Sequence, residues 1–222
     1  MRASLLAGAA MLLVTSTPAW SADAVATLPV APFNWSGAYL GVVGSYNWGH
    51  TDWEFINPGG TNADHRADGG GIGATFGYNW QFPNNVVLGI EGDLSWLDAK
   101  GDTICPNPAY ECHSKVAWLG TVRPRLGYAI DRFMPYVTGG AAFGRVKLWS
   151  PGGALPAISE SHTAFGWAAG AGVEYAFTDH LTAKLEYLHV DLGKDTYFGG
   201  TIDESHGQWR DDSVRIGLNY KF

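Results

Sequence analysis

The chain has 222 residues with 14 Lys or Arg against 21 Asp or Glu, a formal net charge of −7, and a mean hydropathy of −0.06. That length holds one barrel or sandwich domain, and so acidic a chain excludes a surface built to grip nucleic-acid phosphates. Only 16% of residues are charged, whereas Gly (30), Trp, Tyr and Phe (10 each) are plentiful. This mixture suits a narrow barrel relieved by glycine and girdled by aromatics, and after the N-terminus no apolar run is long enough for a spanning helix.

Residues 1–21 read as a secretory signal: Arg2 supplies the positive charge, residues 5–14 the apolar stretch, and residues 15–22 a polar end containing Pro18. Ala19-Trp20-Ser21 offers a cleavage point after Ser21, and Ala22-Asp23-Ala24 a second. Loss of Arg2 takes the formal charge from −7 to −8 (13 minus 21). Residues 22–33 are small, apolar and Pro-containing, a periplasmic lead-in to a barrel over residues 34–222.

The first strand runs over residues 35–46, where Tyr39 and Val43 share one face and Leu40 and Val42 the other. Alternation alone does not orient it. Residues 49–70, rich in Asn, Asp and Gly, read as a long loop. The second strand is clear: Ile72, Ala74, Phe76, Tyr78, Trp80 and Phe82 alternate with glycines and polar residues. Pro83-Asn84-Asn85 turns it into a third strand, with Leu88, Ile90, Leu94 and Trp96 on one face and Gly89, Glu91, Asp93 and Ser95 on the other.

Residues 99–114 read as a loop holding both cysteines, Cys105 and Cys112. In an exported chain these pair as one disulfide, and nearby His113 alone does not make a metal site. In the fourth strand Val116, Trp118, Val122, Leu126 and Tyr128 oppose Thr121, Arg123 and Arg125, and Pro124 predicts a local bulge or distortion. Asp131-Arg132 turns into a fifth strand over residues 135–149, with Val137, Ala141 and Phe143 outward. After a Gly/Pro-rich loop, the sixth strand sets Phe165, Trp167, Val173, Tyr175 and Phe177 against Gly166, Gly170, Gly172 and Glu174. Thr178-Asp179-His180 leads to the seventh, with Leu181, Leu185 and Tyr187 against Thr182, Lys184 and Glu186. Residues 193–212 read as the last long loop. In the closing strand Val214, Ile216, Leu218, Tyr220 and Phe222 alternate with Arg215, Gly217, Asn219 and Lys221.

Long and short connections alternate, the pattern of extracellular loops and periplasmic turns, and a bulky apolar outer face with a polar inner face inverts a soluble barrel. The fold expected is an eight-stranded antiparallel transmembrane β-barrel in the bacterial outer membrane. The chain resembles the small alphaproteobacterial outer-membrane β-barrel proteins, often labelled porin-like. The likeness rests on Trp35-Ser36-Gly37-Ala38-Tyr39-Leu40-Gly41, Gly77-Tyr78-Asn79-Trp80-Gln81, Gly89-Ile90-Glu91-Gly92-Asp93, Arg123-Pro124-Arg125-Leu126-Gly127-Tyr128, Pro135-Tyr136-Val137-Thr138-Gly139-Gly140, Gly172-Val173-Glu174-Tyr175, Lys184-Leu185-Glu186-Tyr187 and the last strand. It implies a role in envelope integrity and surface interaction; members are described as structural, porin-like or, in some cases, haem-binding. A closing Phe222 resembles the signal by which the outer-membrane assembly machinery takes up its substrates.

The interior of an eight-stranded barrel is just wide enough for side chains to fill. Alternation turns Glu91, Asp93, Glu174 and Glu186 inward together with Arg123, Arg125, Lys184 and Arg215. Four acids and four bases predict a paired network that plugs the lumen. The structural reading thus outweighs acid–base catalysis by Glu91 and Asp93; no Gly-x-Ser-x-Gly elbow occurs, and no enzyme, cofactor or metal is expected. The alternatives are a narrow porin and loops that bind a host receptor or, through His50, His65, His113, His162 and His206, haem or a transition metal. Expected partners are outer-membrane lipid and lipopolysaccharide, the latter through cation bridges to acidic loop residues.

Overall fold

A computed structural model describes residues 32–55, 61–104, 111–150, 158–197 and 205–222. The leader (residues 1–21), most of the lead-in, Cys105 and the side chain of Cys112 lie outside the described residues, so neither processing nor the disulfide is placed. Eight strands follow in chain order: β1 (Gly37–Phe55), β2 (Thr61–Gln81), β3 (Val86–Ile104), β4 (Glu111–Tyr128), β5 (Phe133–Ser150), β6 (Ile158–Ala176), β7 (Leu181–Tyr197) and β8 (Ser205–Lys221). Each pairs antiparallel with its neighbours, and β8 closes on β1 from Tyr39↔Lys221 to Phe55↔Ser205. Closure removes both sheet edges, the requirement for a sheet whose outer face is not wetted.

The outer face carries the bulky apolar set. Ile72, Phe165, Ile216 and Phe222 are more than 60% exposed, and they stand among some thirty large exposed hydrophobics around the wall. Such a surface requires lipid around it. The ambiguous first strand resolves with Leu40 and Val42 outward and Tyr39 and Val43 buried. Adjacent rings interlock along this face, as in Tyr78–Trp80 (4.5 Å), Tyr175–Phe177 (5.1 Å) and Tyr220–Phe222 (5.2 Å).

Three short turns join the strands at one end. Asn85 and Asp131 take left-handed backbone (φ 65° and 52°), which short polar side chains tolerate. Phe82 N–H donates to the Val86 carbonyl (2.8 Å), and Ile130 and Phe133 bridge each other. At the other end the strands outrun expectation. Residues 49–70, 99–114, 150–162 and 193–212 read as long loops, yet pairing continues to Phe55↔Thr61, Ile104↔Glu111, Ser150↔Ile158 and Tyr197↔Ser205. The reason is that polar side chains end the lipid-facing stripe without ending the backbone ladder, which needs none of them. With 17–21 residues per strand against the roughly 9–11 that span a bilayer, the wall continues beyond the hydrocarbon.

One expectation for β4 needs correction and another is met. Val116 is not outward: it is 2% exposed inside the barrel, because the register to β5 shifts between Val116 and Trp118 and inverts the parity beyond it. Pro124 brings the expected distortion, without a bulge. The β4–β5 register is the same at Val122↔Ala141 and Arg125↔Thr138, with pairing missing only between them. Thr138 Oγ1 reaches the Pro124 carbonyl instead (2.9 Å). Leu218→Arg, a charge at mid-height on the lipid face of β8, is expected to cost about 2–4 kcal/mol in a urea titration in vesicles.

Candidate functional site in the barrel interior

The interior is filled in three tiers. At the turn end Phe33, Trp35, Val87, Ala129, Met134, Tyr136 and Ala176 pack as one apolar cluster. Phe33 and Trp35 precede the first strand and are fastened from outside it. Phe33 N–H donates to Asp131 Oδ1 (3.1 Å), Trp35 Nε1–H to the Asp131 carbonyl (2.9 Å), and Trp35 N–H to Gln81 Oε1 (2.8 Å). The Arg132 guanidinium and Lys221 ammonium lie 5.5 and 5.3 Å from the Phe33 ring. The far tier is also apolar, with Leu97, Val116, Leu119, Leu188, Val190, Leu192 and Trp209 packed with three alanines.

Between them lies the charged tier, and all eight residues named from the sequence stand in it. Glu91, Asp93, Arg123, Arg125, Glu174, Lys184, Glu186 and Arg215 are each 4% exposed or less. Arg123 on β4 sits at the centre: it reaches Glu91 (3.1 Å) and Asp93 (3.0 Å) on β3 and Glu186 (3.2 Å) on β7. Lys184 on β7 meets Glu91 across the lumen (2.7 Å). Arg125 holds Glu174 on β6 (2.6 Å), and Arg215 on β8 holds Asp93 on β3 (2.7 Å). The carboxylates' remaining lone pairs are also used. Thr121 donates to Asp93, Thr182 to Glu174, and Asn219 Nδ2 to Glu174 (3.0 Å).

Two tyrosines that alternation did not single out complete the tier. The Tyr39 hydroxyl donates to Glu91 Oε2 (2.8 Å) and accepts from Arg125 Nη1 (3.1 Å), while Tyr136 donates to Glu186 Oε2 (3.0 Å). Arg125 stacks 4.1 Å from the Tyr136 ring centre. A side chain at Gly172 would meet the Tyr136 hydroxyl at 2.8 Å, so glycine is what lets that ring lie across the neighbouring strand β6. Its place beside the outward Val137 could have flagged Tyr136 as inward; no pattern in the sequence tells which carboxylate either hydroxyl meets.

Phe222 is 69% exposed at the rim, with its N–H donating to the Ala38 carbonyl (3.0 Å). The histidines assigned to loops sit on the strand extensions instead, and His50 pairs with Arg66 in register. Among the described residues no group of three His, Cys, Asp or Glu could hold a metal ion. Outside the barrel, Asp212 accepts from the Tyr187 hydroxyl (2.6 Å) and contacts His189 Nδ1 (2.8 Å) beside Trp167, a polar cluster within the aromatic girdle.

Arg123→Met would leave Glu91, Asp93 and Glu186 each one cation short in a buried site. It is expected to lower the unfolding free energy by about 3–5 kcal/mol, read from urea titrations in vesicles.

Comparison with known proteins agrees with this architecture. The family model described as outer membrane protein beta-barrel domain matches residues 7–222. The chain is 38% identical to the 31 kDa outer-membrane immunogenic protein of Brucella melitensis biotype 1 over 247 aligned positions, covering all of both chains. It is 35% identical to the 22 kDa outer membrane protein of Rhizobium leguminosarum bv. viciae, covering 87% of this chain and 82% of that one. The crystal structure of the outer membrane protein OprG from Pseudomonas aeruginosa superposes with a TM-score of 0.59 at 14% identity, covering 86% of this chain and 98% of that one, a likeness of fold.

Proposed function

This chain belongs to the outer membrane protein β-barrel domain family and resides in the bacterial outer membrane, and on that premise we propose that it is a structural barrel with a plugged lumen. The observation that carries this reading is the charged tier, whose carboxylates and cations are bonded to one another across the lumen between two apolar tiers. A water-filled path would need those pairs to separate and the Trp35 and Leu188 tiers to open, at a desolvation and packing cost on both sides. The role is non-enzymatic on the same ground: each carboxylate in the tier is held by a cation, leaving none as a free acid or base. The strand extensions beyond the apolar band face lipopolysaccharide, the loops contact the exterior, and Phe222 serves the assembly machinery as a terminal recognition residue.

The test is ion conductance of the refolded protein in a planar bilayer beside an Arg123→Ala, Arg125→Ala variant. The expected outcome is a silent wild type and a variant that conducts only once Trp35→Ala and Leu188→Ala also open the apolar tiers. Reproducible conductance steps from the wild type would make the protein a pore.

A further inference from the structure

The charged tier is neutral, but the described interior as a whole is not. The buried charged side chains are Glu91, Asp93, Glu174, Glu186 and Asp211 against Arg123, Arg125, Lys184 and Arg215, five carboxylates to four cations. The unmatched one is Asp211 on β8. It is 0% exposed, lies beside the apolar tier of Leu188, Val190 and Trp209, and neither oxygen has a hydrogen-bond partner among the described residues. An isolated carboxylate in such surroundings is too costly to persist, so something must neutralise it.

The side chains of Asn47, Ser213 and Arg215 cannot, because their donors are already used. Asn47 pairs directly with Ser213, and Gly49 directly with Asp211, so these four form one inward block on β1 and β8. Asn47 Nδ2 donates to Ser45 Oγ (3.0 Å) and the Gly69 carbonyl (3.2 Å). Ser213 Oγ gives its single hydrogen to the Leu188 carbonyl (3.3 Å). Arg215, on the same face of β8, is bonded to Asp93 (2.7 Å), Glu186 (3.4 Å) and Ser95 (3.5 Å). What the block retains is acceptor oxygen: both oxygens of the Asp211 carboxylate and the lone pairs of Ser213 Oγ.

A second orphan points the same way. Gly49 puts no side chain opposite Asp211, and the position its Cβ would take lies 2.7 Å from the Ala67 carbonyl oxygen and 3.3 Å from Trp209 Nε1. That indole N–H is itself buried and without an acceptor. A proton on Asp211 would remove the charge but leave the Trp209 donor unmet. A hydrated cation answers both, since oxygen ligands hold the ion and its water accepts from the indole.

We propose that the block of Asn47, Gly49, Asp211 and Ser213, under Trp209, is a binding site for one small monovalent cation that completes the charge balance of the barrel interior. Oxygen-only ligands select a hard ion, and a deficit of one charge selects a monovalent one.

The test is urea unfolding of the protein refolded in phosphocholine vesicles, in NaCl, KCl or N-methyl-D-glucamine chloride at equal ionic strength. The wild-type midpoint is expected to be higher by roughly 0.5 M urea in sodium or potassium than in the bulky cation, with a saturable dependence on the ion. Asp211→Asn keeps the shape and removes the charge, and its midpoint is expected to be the same in all three salts. Should that variant fail to refold, Ser213→Ala removes one ligand oxygen, and its half-saturating sodium concentration should rise by about threefold or more. A wild type indifferent to the cation, an Asp211→Asn variant that keeps the dependence, or an unchanged half-saturation in Ser213→Ala would each overturn the assignment.

Discussion

An eight-stranded barrel encloses a space that side chains fill, so a charge turned inward cannot be solvated by bulk water and has to be met by another side chain. Arg123 carries the heaviest share of that constraint. Its guanidinium touches three carboxylates from two strands, and through them Lys184, Arg215 and both buried tyrosines are drawn into one network. The pairs do not simply follow the ladder. Glu174 stands directly opposite Lys184 in register, yet its closest cation is Arg125 from β4. Lys184 in turn reaches Glu91 on the far wall. Bonds that cross the lumen tie non-adjacent strands together, which the backbone ladder cannot do.

The turn end shows how a local backbone choice reaches the interior. Asp131 takes a left-handed conformation in the β4–β5 turn and thereby offers both its carboxylate and its carbonyl to the segment ahead of β1. Those bonds seat Trp35 at 1% exposure against Met134 and Val87. The segment that reads as a lead-in therefore ends as part of the packed interior, even though Phe33 and Trp35 lie outside every strand.

Inward and outward parity was legible wherever one face is bulky and the other small or charged, as along Ile72–Phe82 and Val214–Phe222. The eight charged positions followed from that parity alone. Parity failed at Val116, where a register shift of one residue inverts it. The strand extensions were missed because the lipid stripe is what alternation detects, and it stops at the membrane boundary while hydrogen bonding does not. The apolar tiers were missed for a related reason. Leu188, Val190 and Leu192 alternate with Tyr187, His189 and Asp191, but the reading of β7 stopped at Tyr187, short of them. Partner choice within the charged tier depends on which walls face each other across the lumen, and no one-dimensional pattern records that.

The charged tier also explains how a ladder of small residues keeps its register. Strands rich in glycine resist slippage weakly, because few side chains report a wrong pairing. A slip of one residue in β4 would carry Arg123 and Arg125 into lipid and Val122 into a polar interior, an exchange that lipid penalises at about 2–4 kcal/mol per cation near mid-height. A slip of two preserves parity but moves the side chains by roughly 7 Å along the strand, farther than any ion pair in the tier can stretch. The network therefore discriminates against both errors, and an apolar filling of equal volume would discriminate only against the first. Costly as it is to bury, the paired charge is what makes one register of the closed sheet better than its neighbours.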